Sequence, residues 1–445
     1  MPTRHLTRTR TLLRLAGRAA RHGCAALLIA GTVTGCSYIP WLSGDKDPTP
    51  PIKLSKIVPE VTANTLWSKR LTKGSEGRRL YLVPAVGGGR IYVADSRGLV
   101  VAADADSGRV IWERKTGLPF SAGPELAGDQ LILGTTSGLA VALATTDGRE
   151  QWRAVASGEI LSVPRHTADG KVIVHTLDDT VIALDAAKGT ELWRVSYPAP
   201  ILTLRGSSTP TITPKGVIAG LAGGKLVKLD TTDGTPLWEV TVTPPSGRSE
   251  LARIADIDAD PILVGNLVFV GTYNGDLAAV DQEGGTVRWR RQLSSHAGIA
   301  ANDSHLFVTD SQDQVWGADP VSGAGRWKQE RLQNRQLTAP ALIGNLIVVG
   351  DMGGWLHLIA QSDGRLLGRT RVAKKPITAR PVVAGGRIYV YAIDGTLAAL
   401  TTGTAPANSN RSTNNQSAAA ADQTPPDASR TAPVAPSTGP RKQPQ

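Results

Sequence analysis

The sequence predicts an all-β fold, an eight-bladed β-propeller, because one phrase recurs along the 445 residues. A clear copy is LDAAKGTELW, which ends at Trp193. Each copy joins an apolar strand to a strand that carries a tryptophan, through a polar turn that contains glycine. The copies recur roughly every forty residues, and such a period with short strands is typical of propellers. The positions that correspond to Trp193 are Trp67, Trp112, Trp152, Trp238, Trp289, Trp327 and Gly368.

The turn and the tryptophan of each repeat have separate roles. In the turn, Asp185 can bond to its own backbone and Gly189 accepts a positive φ. The tryptophan is large enough to reach the next blade, where its indole N–H would need a partner. We therefore interpret the repeated tryptophans as core packing between blades rather than as ligand contacts.

The two ends of the repeat region complement each other. The strand around Trp67 has the end of a repeat without its beginning, and residues 381–400 have a beginning without an end. We predict that the N-terminal strand completes the last blade and closes the ring, which removes exposed sheet edges. Gly368 leaves one blade without its tryptophan, and we expect Leu366 or Leu367 to fill that space.

An export signal and a lipidation site are predicted at the N-terminus. Residues 1–35 combine an arginine-rich start with a short apolar run, which suits a signal peptide. The run ends at Val33-Thr34-Gly35-Cys36, which resembles a lipobox, so Cys36 would carry the lipid. The alternative is a plain signal peptide with an incidental cysteine. Ser37 after the cysteine is compatible with sorting to the outer membrane.

Composition divides the rest of the chain. Residues 36–62 are rich in proline and are predicted to form a flexible linker. Residues 63–401 hold the repeats. Residues 402–445 contain almost no large apolar side chain, which predicts a disordered, low-complexity tail.

Charge and motifs argue against nucleic-acid binding and against catalysis. The chain has 49 basic and 38 acidic residues, but the basic excess is largely the six arginines of the leader. Without Cys24 of the leader, Cys36 is the one cysteine left, so no internal disulfide can form. The remaining histidines are scattered without metal spacing, and no catalytic serine or phosphate-loop motif occurs. We therefore expect neither a metal nor a cofactor.

Two connections between repeats, residues 196–210 and 243–261, are unusually long. Each follows a tryptophan-bearing outer strand, so both should emerge on one face as neighbours. Leu202 and Leu204 with Arg205, and Asp256 with Asp258, form an apolar set rimmed by charge, which favours a protein-binding patch. In one alternative, the leucines and isoleucines fold over the blade edge. In another, alternating acids 256, 258 and 260 bind calcium, although Pro261 replaces the required glycine and no closing glutamate follows.

A family resemblance rests on the lipobox, the repeats and two phrases, LTLRGS at residues 202–207 and RIADID at residues 253–258. Together they resemble the BamB family, lipoproteins of the outer-membrane β-barrel assembly (BAM) machinery. The resemblance implies a non-enzymatic scaffold at the periplasmic face of the outer membrane. It would bind a periplasmic POTRA domain of BamA, assist insertion of β-barrel proteins and meet their unfolded precursors.

The resemblance also implies which residues contact the partner. They correspond to Leu202, Leu204, Arg205, Asp256 and Asp258. The two aspartates would either pair with a cation of the partner or orient Arg205. The rival interpretation is a dehydrogenase that uses pyrroloquinoline quinone, because that family has a similar tryptophan repeat. Such enzymes resemble this chain less, since they carry adjacent cysteines and bind calcium.

Overall fold

The structure is a computed structural model that describes residues 49–405 of the chain. The signal peptide, Cys36 and most of the predicted tail, residues 406–445, lie outside the described residues. Within residues 49–405, no helix is long and apolar enough to cross a bilayer.

The described chain forms eight antiparallel sheets, the blades, arranged in a ring. Two strands precede the first blade, β1 (Val61–Arg70) and β2 (Tyr81–Leu82). Blades 1 to 3 contain β3 (Ala85–Gly87), β4 (Arg90–Ala94), β5 (Leu99–Asp104), β6 (Val110–Lys115), β7 (Phe120–Ala127), β8 (Gln130–Thr135), β9 (Leu139–Ala144), β10 (Glu150–Val155), β11 (Arg165–His166), β12 (Lys171–His175), β13 (Thr180–Asp185) and β14 (Glu191–Ser196). Blades 4 to 6 contain β15 (Thr211–Thr213), β16 (Gly216–Leu221), β17 (Lys225–Leu229), β18 (Pro236–Thr241), β19 (Ile262–Val264), β20 (Leu267–Gly271), β21 (Asp276–Asp281), β22 (Val287–Gln292), β23 (Gly298–Ala301), β24 (Leu306–Thr309), β25 (Val315–Ala318) and β26 (Gly325–Gln329). Blades 7 and 8 contain β27 (Ala341–Ile343), β28 (Leu346–Gly350), β29 (Trp355–Ala360), β30 (Leu366–Arg371), β31 (Val382–Ala384), β32 (Arg387–Tyr391) and β33 (Thr396–Thr404). Short 3-10 helices occur at Ala222–Gly224 and Leu251–Arg253.

The ring is closed by its first strand, which confirms the predicted fold class. β1 pairs antiparallel with β33, from Val61 opposite Thr404 to Arg70 opposite Thr396. It is therefore the outermost strand of blade 8. β2 was not expected as a strand, and it adds in parallel to β7, the first strand of blade 2.

The repeated tryptophans bridge consecutive blades, as predicted. Each one lies on the outermost strand of its blade and donates its indole N–H to a backbone carbonyl in the turn between the third and fourth strands of the next blade. Trp152 Nε1 lies 2.7 Å from the oxygen of Ala186. The ring also packs on the glycine of that turn, since a β-carbon on Gly189 would lie 2.5 Å from Trp152 Cε3. The turn glycine thus supplies both a positive φ and room for the indole.

Blade 7 lacks the repeat tryptophan on its outer strand because blade 8 has no turn to receive one. Its third strand, β33, is near the C-terminal end of the repeats, and its fourth strand, β1, comes from the N-terminal end. The backbone of β1 occupies the place of the side chain, since a β-carbon on Gly368 would lie 2.0 Å from the oxygen of Val61. The expectation that Leu366 or Leu367 fills this space is therefore wrong.

Part of the predicted flexible linker is held against the ring. The N–H of Ile52 donates to the oxygen of Gln333 at 3.2 Å, and Arg335 Nη1 donates to the oxygen of Ile52 at 3.0 Å. Arg369 Nη2 donates to the oxygen of Ser55 at 2.8 Å. Residues 51–60 therefore lie along blades 6 and 7. The sheet region also extends beyond the expected 63–401, from Val61 to Thr404.

Candidate partner-binding site

The two long connections emerge on one face of the ring, which we call the connection face. In a four-stranded meander, the link from the outer strand to the next blade lies on the same face as the turn between the second and third strands. Loop A, residues 197–210, joins blades 3 and 4 on this face, and loop B, residues 242–261, joins blades 4 and 5. Both loops thus border blade 4.

Hydrogen bonds join the two loops directly. One carboxylate oxygen of Asp256 accepts the N–H of Leu204 at 2.6 Å, and the other accepts the N–H of Gly223 at 3.0 Å. Farther along, Asp260 Oδ1 accepts the N–H of Thr209 at 2.8 Å. The loops are neighbours, as predicted. Loop B thus holds the backbone of loop A through two carboxylates. Buried carboxylates need hydrogen-bond donors, and the backbone N–H groups of loop A supply them.

The apolar residues of the loops divide into an exposed and a buried set. Leu202 is 46% exposed and Leu251 is 69% exposed, while Leu204 is half-buried. Ile254 and Ile257 are buried, and Ile257 belongs to the core between blades 4 and 5. The alternative in which apolar residues fold over the blade edge therefore holds for Ile254 and Ile257. It does not hold for the leucines or for Ile201, which is 94% exposed.

Arg205 is oriented by residues other than the two aspartates. Its Nη2 donates to the carboxylate of Glu159, and its Nη1 donates to the backbone oxygen of Arg79 at 3.0 Å. The interpretation that Asp256 or Asp258 orients Arg205 is therefore wrong. Glu159 lies in the connection between blades 2 and 3 and Arg79 precedes blade 1. Sequence reasoning missed both, because that connection is short and Arg79 precedes the first full repeat.

Asp258 lies in a buried group of ionisable side chains beneath the loops. Burial, with the nearby charges of Asp256 and Asp179, raises the pKa of Asp258 to about 7, and His175 opposes this rise. Burial also raises the pKa of Asp256. The carboxylate of Asp258 lies against loop A, since a β-carbon on Gly206 would be 2.8 Å from its Cγ.

The same group supports loop A from below. His175 Nδ1 is 3.0 Å from the backbone oxygen of Ser208, to which it donates in the tautomer that this contact requires. Asp256 is only 2% exposed and Asp258 only 8%. Their geometry suits side chains that hold the loops in shape, with Leu202, Leu204 and Arg205 nearer the surface.

The calcium interpretation finds no support in the geometry. Two of its three acids, Asp256 and Asp260, are already bonded to backbone N–H groups of loop A. Across residues 49–405, no group of three or more histidine, cysteine, aspartate or glutamate side chains is arranged to hold a metal ion.

The fold and the site define a protein of the β-propeller class whose connection face carries two loops joined by hydrogen bonds. The sequence matches the family model described as outer membrane protein assembly factor BamB over residues 56–133, 115–329 and 331–428. A BamB of Alkalilimnicola ehrlichii is 39% identical over 87% of this chain and 98% of its own length. A BamB of Pseudomonas aeruginosa is 37% identical over 85% of this chain and 98% of its own. The chain belongs to the BamB family of assembly factors and is not an enzyme.

Solved structures agree on the fold. The crystal structure of BamB from Moraxella catarrhalis matches with a TM-score of 0.70 and 25% identity, covering 76% of this chain and all of that one. A quinohemoprotein alcohol dehydrogenase from Pseudomonas putida matches with a TM-score of 0.62 at 13% identity, over 78% of this chain and 77% of its own. At that identity the likeness shows a shared propeller fold and does not favour the dehydrogenase interpretation.

Proposed function

We propose that this protein is a lipid-anchored scaffold of the outer-membrane protein assembly machinery. It binds a periplasmic POTRA domain of BamA through loops A and B, as a member of the BAM complex, and assists insertion of β-barrel proteins. The observation that supports this most is the bond between Asp256 and Leu204. It joins two loops of different blades into one surface, which single surface loops would not need.

Each proposed contact residue has a distinct task. Leu202 and Leu204 supply apolar area, and burying a leucine fully contributes about 1.5–3 kcal/mol. Arg205 keeps part of its guanidinium accessible and offers a planar fork of donors to a carboxylate or carbonyl of the partner. Asp256 and Asp258 act through the loop backbone. A small set of this kind is typical of binding hot spots, where few residues carry most of the energy.

The anchor completes the proposal. Cys36 would carry the lipid and place the ring at the periplasmic face of the outer membrane. Unfolded precursors of outer-membrane proteins would then pass close to the ring. No nucleic acid, metal or cofactor is needed for this role.

Capture of a purified POTRA segment of BamA tests the proposal. A Leu204→Ala, Arg205→Ala double variant should lose most of its capture while its thermal midpoint stays close to that of the parent. The matched control is Leu192→Ala, which truncates a leucine that is 47% exposed on the outer strand of blade 3. Unimpaired capture by the double variant, or equal loss in the control, would remove the loops from the site.

A further inference from the structure

A groove on the connection face, between blades 5 and 6, has a composition that the repeat does not explain. It encloses about 430 Å³ of open space. Its wall includes Asn274 and Gln292 from blade 5, and Gln312, Gln314 and Trp316 from blade 6. The groove begins next to loop B, because the N–H of Tyr273 donates to the oxygen of Asp256 at 2.9 Å.

Trp316 departs from the pattern of the other blades. It pairs with Lys328, the residue after the repeat tryptophan of blade 6. The corresponding third-strand residues are buried, and all but the histidine are aliphatic: Val101, Val141, Ile182, Val227, Ala278, His357 and Ala398. Trp316 instead is partly exposed and lines the groove. Burial in the apolar core between blades therefore does not account for a tryptophan at this position.

Unpaired carboxamides surround this indole. Gln314 is only 6% exposed, yet its side chain makes no hydrogen bond to another residue of the described chain. The side chains of Asn274, Gln292 and Gln312 also bond to nothing within residues 49–405. Each carboxamide offers two N–H donors and an accepting oxygen. Asn274, Gln292 and Gln312 are exposed, so their carboxamides are accessible to a ligand with alternating donors and acceptors.

We propose that this groove binds an extended polypeptide segment that carries an acidic residue. An extended backbone presents N–H and C=O groups in alternation, which matches the carboxamides on the two walls. The guanidinium of Arg291 and the ammonium of Lys328 lie 5.3 and 4.9 Å from the centre of the Trp316 ring. The guanidinium of Arg291 attracts a carboxylate, whereas the ammonium of Lys328 already pairs with Glu330. Both cations occupy the ring surface on which a sugar would otherwise stack.

The ring itself is fixed for this purpose. Trp316 Nε1 donates to Asp310 Oδ2 at 2.7 Å. The other oxygen of Asp310 accepts the backbone N–H groups of Gln312 and Gln314, at 2.9 and 2.8 Å. One carboxylate therefore sets the positions of the indole and of two of the carboxamide-bearing residues. The groove is a preorganised site, in which little order would be lost on binding.

Fluorescence anisotropy with the full mature protein tests the proposal. The probe is a short, end-blocked peptide of alternating threonine and tyrosine with one central glutamate, labelled with fluorescein. Trp316→Val, which installs the aliphatic residue of other blades, and Gln314→Leu should each weaken binding about tenfold or more, that is by about 1.4 kcal/mol. Replacing the glutamate of the probe by glutamine should weaken it as well.

The matched control is Trp355→Val in blade 7. Trp355 is also partly exposed and has two arginines, Arg369 and Arg371, 5.5 and 5.8 Å from its ring, but it does not line the groove. Its replacement should leave peptide binding unchanged. If Gln314→Leu or Trp316→Val lowers the thermal midpoint of the protein, Gln292→Ala provides a second test, because Gln292 is exposed and its replacement should not affect folding. Capture of the POTRA segment by the Trp316 variant should stay intact, so the two proposals fail separately.

Absence of binding, or equal binding by parent and groove variants, overturns the proposal. So does a neutral oligosaccharide that displaces the peptide and is lost in the same variants, because the groove would then be a glycan site.

Discussion

The carboxylate of Asp256 and the backbone N–H of Leu204 are 2.6 Å apart although 52 positions separate them in the chain. This bond makes the shape of loop A depend on loop B. Binding of a partner to the leucines of loop A therefore depends on a buried carboxylate that the partner does not itself contact. Aspartate variants should consequently affect binding through loop geometry.

Replacement of Asp256 by alanine should loosen loop A. It leaves the N–H groups of Leu204 and Gly223 without acceptors, at about 1–3 kcal/mol for each buried group. Capture of the POTRA segment should fall, and amide hydrogen exchange in loop A should accelerate. The control is Asp185→Ala, since Asp185 also accepts two backbone N–H groups, but within one turn on the opposite face. Unchanged exchange in loop A would contradict the assigned role.

Replacement of Asp258 by asparagine should alter the pH dependence of stability. Burial raises the folded-state pKa of Asp258 to about 7 from the ordinary 3.8 of an aspartate, so the folded protein binds more protons than the unfolded chain between these values. Stability from this group is present at low pH and is lost as pH rises toward 7, by at most about 4 kcal/mol. Asp258→Asn should therefore be more stable than the parent at pH 8, with little gain near pH 4.

Urea unfolding at a series of pH values measures this difference. Asp129→Asn, a change at an exposed aspartate in a hairpin of blade 2, serves as the control and should not change the slope. A parallel pH profile for the Asp258 variant and the parent would show that the buried group does not titrate as assigned.

Replacement of Gly189 by alanine should destabilise the ring more than replacement of Gly170. Both glycines have positive φ, 69° and 81°, so alanine is strained by about 1–2 kcal/mol at either position. A β-carbon at position 189 would also collide with the ring of Trp152, whereas none lies within 4 Å at position 170. Overpacking adds about 1–3 kcal/mol, so the two midpoints should differ clearly in urea unfolding. Equal losses would mean that the indole moves aside freely.

Removal of residues 36–71 should unfold or aggregate the protein. It deletes β1, exposes the edge of β33 and removes the backbone that covers Gly368. Removal of residues 406–445 is the control, since these follow the last strand. Light scattering and thermal unfolding report the outcome. A two-state melt at the parental temperature after the N-terminal deletion would refute the closure of the ring.

Much of the candidate site could be predicted from the local sequence pattern, but the role of each residue within the site could not. The loops containing Leu204 and Asp256 were identifiable because they interrupt a regular repeat, and their adjacency followed from consecutive blades. The partner of Arg205 was not identifiable. Glu159 comes from another blade and Arg79 from the segment before the first, so they meet only when the ring closes.

The sequence by itself determined the number of blades, the closing strand and the bridging tryptophans, because each depends on a period and on residue types that recur. Only the tertiary structure decided that Asp258 is buried, that residues 51–60 lie on blades 6 and 7, and that Gly368 faces Val61. These depend on contacts between distant segments, and closure of the ring sets which segments meet.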